Sequence, residues 1–568
     1  MQPVRASVVF IIFIGAAAII ISRLFFLQVF EHDFYAALAR GQQQVFENIV
    51  PERGGIFLTD KNNETTPLAV NKDFPFVYAV PKDIEDGEKT AKQLSEIFGG
   101  DEKEILEKLS KKEDTYEVLA QRINEEQVQK IKDLNIKGIA IRNERLRYYP
   151  AGSLASHVSG FVGQDEEGVI GRYGLEGFYE KKLRGVVGKL VGEKDARGNI
   201  LQSFGENKDA AQPGNDLLLT IDPNIQTIVE EKLRDATEKW SIDGGTIIVM
   251  DPLTGAIRAL ANFPNFDLNN YSKVEDANVF ANPAVSHLFE PGSVFKPITI
   301  AAGLDTKTIT PGTTYENTGS VKIGSYTITN VVQEAKGIRT MTEVLEESLN
   351  TGVIFVEEKT GQDVFKKYVE SFGMNEKTGI DIFGEVPGNI SNLSDKRAIN
   401  YATASFGQGI AITPIEMTMG IAAIANQGEL MTPYVVQTIR HADGTEERTQ
   451  PESKRKVMSS RAANDLIAMM VSVVRNGTGK RAQIPGYTIA GKTGTAQVPN
   501  LESRGYSDKD IHTFAGFFPA FDPRVLIFIK LDDPKGVRYA EGSAVPLFRE
   551  IAEYLITYYA IPPDAPQN

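Results

Sequence analysis

The stretch that decides the fold is EPGSVFKPIT, which runs from Glu290 to Thr299. Ser293 and Lys296 are three residues apart in it, so a helix that begins near Ser293 places the lysine about one turn away on the same face. Such a helix start also puts the serine hydroxyl where the helix dipole favours developing negative charge. Pro297 fits this register, because a proline is tolerated only this close to a helix start. The pattern therefore predicts a serine on which a lysine can act.

Two other motifs carry chemistry in the same half of the chain. The segment S-L-N at 348–350 closes a helical run, and a hydroxyl and an amide two residues apart can relay a proton and bind a substrate carbonyl. The segment K-T-G-T at 492–495 follows the strand-like YTIAG, whereas the K-T-G copies at 359–361 and 377–379 lack such an apolar run. A second S-x-x-K, at 453–456, lies in a charged stretch, which indicates solvated surface.

The order and spacing of the three motifs are more specific than any one of them. Ser293 precedes Ser348 by 55 residues, and Ser348 precedes Lys492 by 144. On this succession the chain resembles the class B penicillin-binding proteins, which are monofunctional peptidoglycan D,D-transpeptidases. Further segments run in that family's order: PERGGIF at 51–57, YYPAGSLASHVSGFVG at 148–163, GLEGFYEKKLRGVVG at 174–188 and HTFAGFFP at 512–519. Leu349 departs from the family, since many relatives carry a small or polar residue there.

The resemblance implies acyl transfer from D-Ala-D-Ala stem peptides through an acyl-serine intermediate, in cell-wall synthesis and with β-lactams as inhibitors. It assigns catalytic roles to Ser293, Lys296, Ser348, Asn350 and Lys492, and substrate binding to Thr493, Gly494 and Thr495. The context EPGSVFKP and the chain length favour a role in division over one in elongation. Implied partners are a membrane-embedded glycan polymerase of the SEDS family, proteins of the divisome or elongasome, and, as one option, a second copy in a homodimer.

The N-terminus predicts a membrane anchor. Residues 6–22 carry no charge, and residues 7–30 would span about 36 Å as a helix, enough for a hydrocarbon core of about 30 Å. A cleaved signal peptide, with an A-x-A site at 37–39, is the alternative, but the apolar run is too long for one. Arg5 before the run and Glu31 after it place the N-terminus in the cytoplasm and the rest outside. We expect a single-pass protein of the plasma (inner) membrane.

We expect four regions: a cytoplasmic tail at 1–6, the anchor at 7–30, a non-catalytic α+β pedestal of the dimerisation type at 31–210, and a transpeptidase domain at 211–568. The resemblance gives the last a β-lactamase-like α/β fold, with a central antiparallel sheet flanked by helices. Its sequence agrees, since TFAGFFPA and VLIFIKLDD are strand-like and PLFREIAEYLITYYA is amphipathic. Thr413, Pro414 and Glu416 further predict a capped helix start.

Composition excludes several classes of protein. Hydrophobic residues are 42% and charged residues 24% of the 568 residues, as in folded proteins, and the net charge of -14 disfavours a nucleic-acid partner. With no cysteine and five scattered histidines, the chain lacks thiolate and helical zinc sites, so we expect no metal and no cofactor. The glycine cluster at 477–480 fails as a phosphate loop, because Val474 occupies the first glycine position.

Three alternative functions share the motifs. A β-lactamase or a β-lactam sensor would carry them, but an anchor and a pedestal of this size add nothing to the hydrolysis of a soluble drug. A catalytically silent scaffold for a glycan polymerase would be expected to lose Ser293 or Lys296, and both are present.

Overall fold

The computed structural model describes residues 2–31, 44–166, 168–194, 200–201, 210–331, 336–500 and 505–566. By their internal contacts these residues form two compact units, one of residues 1–53 with 184–214 and the other of residues 54–183 with 215–568. All three motifs lie in the second unit.

The helices and strands are numbered in chain order over the described ranges. Those of the first 201 residues are α1 (Gln2–Phe25), β1 (Gln44–Ile49), β2 (Ile56–Thr59), β3 (Thr65–Ala79), α2 (Gly87–Phe98), α3 (Glu102–Ser110), β4 (Glu117–Ala120), α4 (Glu125–Leu134), β5 (Ile139–Tyr148), α5 (Ser156–Ser159), β6 (Phe161–Asp165), β7 (Gly168–Arg172), α6 (Gly174–Phe178), α7 (Glu180–Leu183), β8 (Gly188–Lys194) and β9 (Ile200–Leu201).

The remaining elements follow from residue 216 onward. They are β10 (Asp216–Leu219), α8 (Pro223–Trp240), β11 (Gly244–Met250), β12 (Ile257–Phe263), α9 (Pro283–Ser286), α10 (Lys296–Asp305), β13 (Thr314–Asn317), β14 (Ser320–Ile323), β15 (Tyr326–Thr329), β16 (Gly337–Thr340), α11 (Met341–Glu346), α12 (Asn350–Thr360), α13 (Gln362–Ser371), α14 (Ala398–Ala404), α15 (Pro414–Ala425), β17 (Glu429–Met431), β18 (Val436–Arg440), β19 (Glu446–Arg448), β20 (Ser453–Lys456), α16 (Ser460–Asn476), β21 (Ala490–Pro499), β22 (Tyr506–Phe518), β23 (Val525–Asp532) and α17 (Ala544–Tyr558).

The smaller unit contains the predicted anchor. Helix α1 continues as a π-helical turn over Phe26–Phe30, and the segment Val8–Phe30 has a mean hydropathy of 2.6 with none of its surface buried. This segment is long and apolar enough to cross a membrane, as a single-pass anchor requires. Strands β1, β8 and β9 form a three-stranded antiparallel sheet in the same unit.

A mixed sheet organises the first part of the larger unit. Its strand order is β19-β18-β10-β2-β3-β4, with β5 also paired to β3, and only the β10–β2 pair is parallel among these described strands. Helices α2, α3 and α4 cover the far end of β3, where Val77 packs with Leu94, Leu109 and Ile131. The α+β character predicted for this region is confirmed.

The central sheet of the larger unit has the order β12-β11-β23-β22-β21, and every pairing in it is antiparallel. Residues of β23 alternate between two cores: Ile527 and Ile529 pack with α8 and α17, whereas Leu526 and Phe528 belong to the core that includes α10. Burial of both faces explains why VLIFIKLD is apolar almost throughout. The predicted central antiparallel sheet with flanking helices is confirmed, and β21 lies at its edge.

Local sequence signals account for the helices around this sheet. Asp222 caps α8 by accepting hydrogen bonds from the backbone N–H groups of Asn224 and Ile225. Thr413 and Glu416 form the predicted capping box at the start of α15, whose side chains are buried on all sides. Helix α15 therefore runs through the interior rather than along the surface.

Candidate active site

Ser293 lies at the junction of a 3-10 turn and a helix. The turn spans Gly292–Phe295, and α10 begins at Lys296, whose backbone N–H donates to the Ser293 carbonyl. The helical start predicted near Ser293 is thus a tighter turn, with the α-helix beginning three residues later. Ser293 is half-buried, and its hydroxyl makes no hydrogen bond within the described part of the chain. The hydroxyl is therefore available to a substrate.

Two lysines meet at the hydroxyl of the second motif. Lys296 Nζ donates to the Ser348 carbonyl at 2.5 Å and to the Ser348 hydroxyl at 3.2 Å. Lys492 Nζ donates to the same hydroxyl at 2.9 Å and to the Thr493 carbonyl at 3.0 Å. The three motifs, which are far apart in the sequence, therefore converge on Ser348.

Both lysine side chains are fully buried, and burial disfavours their charged forms. Burial and the charge of Lys492 lower the pKa of Lys296 well below its ordinary value. Burial also lowers the pKa of Lys492 to about 7, while the Glu541 carboxylate acts in the opposite direction. The arrangement therefore favours a neutral Lys296 beside a Lys492 that can still carry a proton near neutral pH.

The backbone of Ser348 is held in an unusual conformation. Its φ is 54°, in the left-handed region, which costs a residue with a side chain about 1–2 kcal/mol. This turn separates α11 from α12 and directs both polar atoms of Ser348 at the lysines. Asn350 begins α12, and its amide donates to the Thr329 carbonyl at 3.0 Å rather than to another motif residue.

The third motif lies on β21, against the turn that contains Ser293. A Cβ atom on Gly494 would lie 3.1 Å from the Val294 nitrogen and 3.2 Å from the Pro291 carbonyl oxygen, so a glycine permits this close approach. Thr495 accepts a hydrogen bond of 3.2 Å from the Ala540 backbone N–H. Because β21 is the edge strand of the central sheet, one side of its backbone pairs with no other strand of that sheet.

The other matches to the motifs lie apart from this cluster. Ser453 and Lys456 lie on β20, and the Ser453 hydroxyl donates to Glu429 at 2.8 Å. The solvated-surface prediction for that copy is confirmed. Lys359 lies in the last turn of α12, where its ammonium is 5.5 Å from the centroid of the Phe355 ring.

Two residues near the site were missed by the sequence analysis. The Thr478 hydroxyl hydrogen-bonds that of Thr493 at 2.8 Å, and Thr478 belongs to the glycine cluster that failed as a phosphate loop. A Cβ on Gly477 would lie 2.5 Å from the Glu346 carbonyl oxygen, so the cluster serves close packing. Glu541 lies in the 3-10 turn Ala540–Gly542, and its charge acts on Lys492. Neither residue has a local sequence signal.

Within the described ranges, no group of three or more histidine, aspartate or glutamate side chains is arranged to hold a metal ion. The arrangement is suited to nucleophilic catalysis by a serine with an amine as general base.

Comparisons with known proteins agree with this geometry. The family model described as Penicillin binding protein transpeptidase domain matches residues 245–553, and that described as Penicillin-binding Protein dimerisation domain matches residues 48–219. Stage V sporulation protein D of Bacillus subtilis is 31% identical over 556 residues, which cover 96% of this chain and 85% of that protein. A peptidoglycan D,D-transpeptidase FtsI homolog of Mesostigma viride is 30% identical, with 99% and 97% covered.

A solved structure extends the likeness to three dimensions. The crystal structure of penicillin binding protein 3 from Mycobacterium tuberculosis, complexed with aztreonam, matches with a TM-score of 0.70 and 27% identity, over 92% of this chain and 99% of that one. Family models, relatives of nearly full length and shared architecture thus converge: the chain belongs to the class B penicillin-binding proteins, the family of peptidoglycan D,D-transpeptidases.

Proposed function

We propose that this protein cross-links peptidoglycan through an acyl-enzyme on Ser293 and that β-lactams acylate the same residue. The observation that carries the proposal is the convergence of Lys296 and Lys492 on the Ser348 hydroxyl, together with the position of Ser293 in the turn that leads into the helix of Lys296. Relatives named peptidoglycan D,D-transpeptidases, and a structural neighbour complexed with aztreonam, support both parts of the proposal.

In the first step, the Ser293 oxygen attacks the carbonyl carbon of the penultimate D-Ala. Neutral Lys296 takes the hydroxyl proton, which passes to the nitrogen of the terminal D-Ala as the C–N bond breaks. In the second step, an amine of a neighbouring stem attacks the ester carbonyl. The new amide forms, the ester C–O bond breaks, and a proton from the amine returns to the serine oxygen.

The remaining motif residues bind and orient the substrate. Lys492, Thr493 and Thr495 are assigned to the terminal carboxylate, and Gly494 keeps β21 close to the serine turn. The backbone N–H groups of Ser293 and Thr495 are assigned to the oxyanion hole, where a donor is typically worth about 3 kcal/mol. Ser348 relays the proton between the lysines, and the side-chain oxygen of Asn350, which accepts no hydrogen bond from a described residue, is assigned to an N–H group of the peptide.

The test is acylation by benzylpenicillin of the full-length chain in detergent, followed by intact mass and peptide mapping. We expect one adduct, on Ser293, which Ser293→Ala abolishes. Ser453→Ala is the matched control, because it removes the serine of the second S-x-x-K match and leaves labelling intact. An adduct on another residue, or no adduct, would overturn the assignment. An adduct that persists for hours supports a transpeptidase, whereas rapid release of hydrolysed drug supports a β-lactamase.

The proposed cellular setting follows from the charge pattern of the N-terminal apolar segment and from the sequence around Ser293. We place residues 1–6 in the cytoplasm, 7–30 in the plasma membrane, the pedestal at 31–210 and the transpeptidase domain at 211–568 outside, with a SEDS glycan polymerase as the partner in the membrane. The sequence around Ser293 favours division, so depletion in the source organism should give filaments. Round or swollen cells would instead indicate elongation.

A further inference from the structure

Two buried asparagines lie at the base of a largely exposed hairpin beside the second motif. Strands β14 and β15 form the hairpin, Asn317 ends the strand before it, and Asn330 follows it directly. The two residues are 1% and 2% exposed, whereas Thr329, next to Asn330, is exposed. Burial of an amide is costly unless the amide is hydrogen-bonded, so the partners of these asparagines show what the asparagines hold in place.

The two asparagine side chains are bonded to each other and to the residue that follows Asn350. Asn330 Nδ2 donates to Asn317 Oδ1 at 2.9 Å and to the Thr351 hydroxyl at 3.0 Å. In return, Asn330 Oδ1 accepts from the Thr351 backbone N–H at 3.0 Å. This N–H lies in the first turn of α12, where the backbone donors have no partner within the helix. Asn330 therefore fixes the start of the helix that carries Asn350.

The peptide unit between Thr329 and Asn330 is held on both of its polar sides. Its N–H donates to the Gly319 carbonyl at 3.0 Å, and the Gly319 N–H donates to Asn317 Oδ1 at 3.0 Å. Its carbonyl accepts from Asn350 Nδ2 at 3.0 Å. Because a peptide unit is planar, the bonds that hold its N–H also set the direction of its carbonyl. The two buried asparagines thus determine where the Asn350 amide finds its acceptor.

The Thr329 carbonyl also determines which way round the Asn350 amide lies. A carbonyl oxygen only accepts hydrogen bonds, so the atom that faces it is the amide nitrogen, and the side-chain oxygen of Asn350 points the other way. Without this contact, rotation about the Cβ–Cγ bond would exchange the two ends of the amide. The contact therefore selects one of two orientations in which the second motif can meet a ligand.

We propose that Asn330, supported by Asn317, is a positioning residue for Asn350. Asn330 acts through the Thr329 carbonyl and the start of α12, and it does not touch the ligand itself. The proposal rests on the proposed transpeptidase function, because its readout is acylation of Ser293. It makes a prediction that a general effect on folding does not make: the effect of Asn330 on acylation requires the Asn350 amide.

The test is a double-mutant cycle on the acylation of the full-length chain in detergent by benzylpenicillin, whose acylamino group offers the Asn350 amide a partner. The acylation rate constant is measured for the wild type, Asn330→Ala, Asn350→Ala and the double variant. We expect Asn330→Ala to slow acylation about tenfold, the equivalent of about one hydrogen bond to the ligand. In the Asn350→Ala background, the same substitution should change the rate by less than about twofold, because the amide that it orients is absent.

A second variant covers the case in which Asn330→Ala does not fold. Thr351→Val keeps the shape of the side chain and removes only the hydroxyl that accepts from Asn330, so it weakens the same network with less risk to the fold. We expect acylation about threefold slower in Thr351→Val, and again little effect when Asn350→Ala is present. This second cycle decides the proposal in the same way as the first.

Asn282→Ala is the matched control for the loss of a buried asparagine. Asn282 is 4% exposed, accepts from Asn262 Nδ2 at 3.0 Å and donates to the His157 carbonyl at 3.4 Å. It should lower the unfolding temperature, as Asn330→Ala does, and still be acylated at the wild-type rate well below that temperature. The pH profile gives a further check: Asn330→Ala should keep the wild-type limbs, because Lys296 and Lys492 keep their contacts with the Ser348 hydroxyl.

The outcomes separate the two proposals. Equal slowing by Asn330→Ala with and without the Asn350 amide would overturn the positioning role, and so would a shift of the pH limbs, which would mean that Ser348 has moved. Acylation of either single variant at the wild-type rate would also overturn it. In each of these cases, labelling of wild-type Ser293 leaves the proposed function intact, whereas absence of that labelling would overturn the proposed function itself.

Discussion

A Cβ atom added to Gly494 would lie 2.2 Å from the hydroxyl oxygen of Thr513 on the neighbouring strand. Gly494→Ala must therefore move β21 or the Thr513 side chain. We expect a loss of stability of about 1–3 kcal/mol, typical of overpacking, and at least tenfold slower acylation by benzylpenicillin. Thermal unfolding and stopped-flow acylation measure the two effects.

Two variants check the cause of that effect. Thr513→Ala in the Gly494→Ala background removes the nearest atom and should restore part of the stability. Gly312→Ala is the control, because a Cβ there has no atom within 4 Å. Wild-type behaviour of Gly494→Ala would show that the strand tolerates a side chain at this position.

Lys296→Ala should lower the rate of acylation at least 100-fold, because a general base typically contributes a factor of about 10²–10⁴. Because the fully buried Lys296 side chain also fills space, Lys296→Met, which keeps most of its volume, should show the same loss of acylation with a smaller loss of stability. Lys456→Ala, in the second S-x-x-K match, serves as the control and should acylate normally. Acylation of Lys296→Ala at the wild-type rate would refute the role of Lys296 as base.

The pH dependence of acylation follows from the two lysines. Lys296 must be neutral, so the rate rises as pH passes upward through its lowered pKa, and Lys492 must be protonated, so the rate falls around its pKa of about 7. Glu541 raises the pKa of Lys492, so Glu541→Gln should shift the alkaline limb to lower pH. Glu238→Gln, on the exposed side of α8, should not. A shift to higher pH in Glu541→Gln would contradict this account.

A buried ion pair in the larger unit is expected to contribute strongly to the free energy of unfolding. Arg147 Nε lies 2.7 Å from Glu176 Oε1, and the two side chains are 2% and 0% exposed. Glu176→Gln would leave a buried guanidinium without its counter-charge, which should destabilise the protein by about 3–5 kcal/mol in urea unfolding. Glu126→Gln, which breaks the exposed pair with Lys130, should have no measurable effect. Equal stability of the two variants would exclude the pair as a major contribution.

Arg23 offers a test of the membrane partner. Its guanidinium lies 5.7 Å from the centroid of the Phe26 ring, within the apolar segment. If Arg23 helps to dock a helix of the polymerase, Arg23→Leu should reduce co-purification with that polymerase and leave penicillin labelling of Ser293 unchanged. Unchanged co-purification would mean that the Arg23 side chain only extends to the outer lipid headgroups, which is the alternative that the sequence also permits.

The features that the sequence predicted well are those with a local cause. The capping box at Thr413 and the apolar runs of β22 and β23 depend on residues a few positions apart, and the structure confirms them. The parallel pairing of β2 with β10 brings together residues about 160 positions apart, and no local pattern indicates it.

The same distinction holds at the candidate site. The motifs indicated which side chains carry chemistry, but the meeting of Lys296 and Lys492 on one hydroxyl depends on the packing of three distant elements. The left-handed backbone of Ser348 went unpredicted because a serine gives no signal for it. Thr478 and Glu541 were missed because their roles come only from neighbours in space.

Strand β3 also has a mechanical consequence. One end of this strand, Thr65–Ala79, pairs with β2, which is bonded to β10, while the other end pairs with β4 and β5 beneath α2 to α4. A strand is close to fully extended and so resists stretching, which gives a force on α2 a direct path to β2. A protein bound at the outer end of β3 would therefore be mechanically coupled, through this one strand, to the part of the mixed sheet that contains β2 and β10.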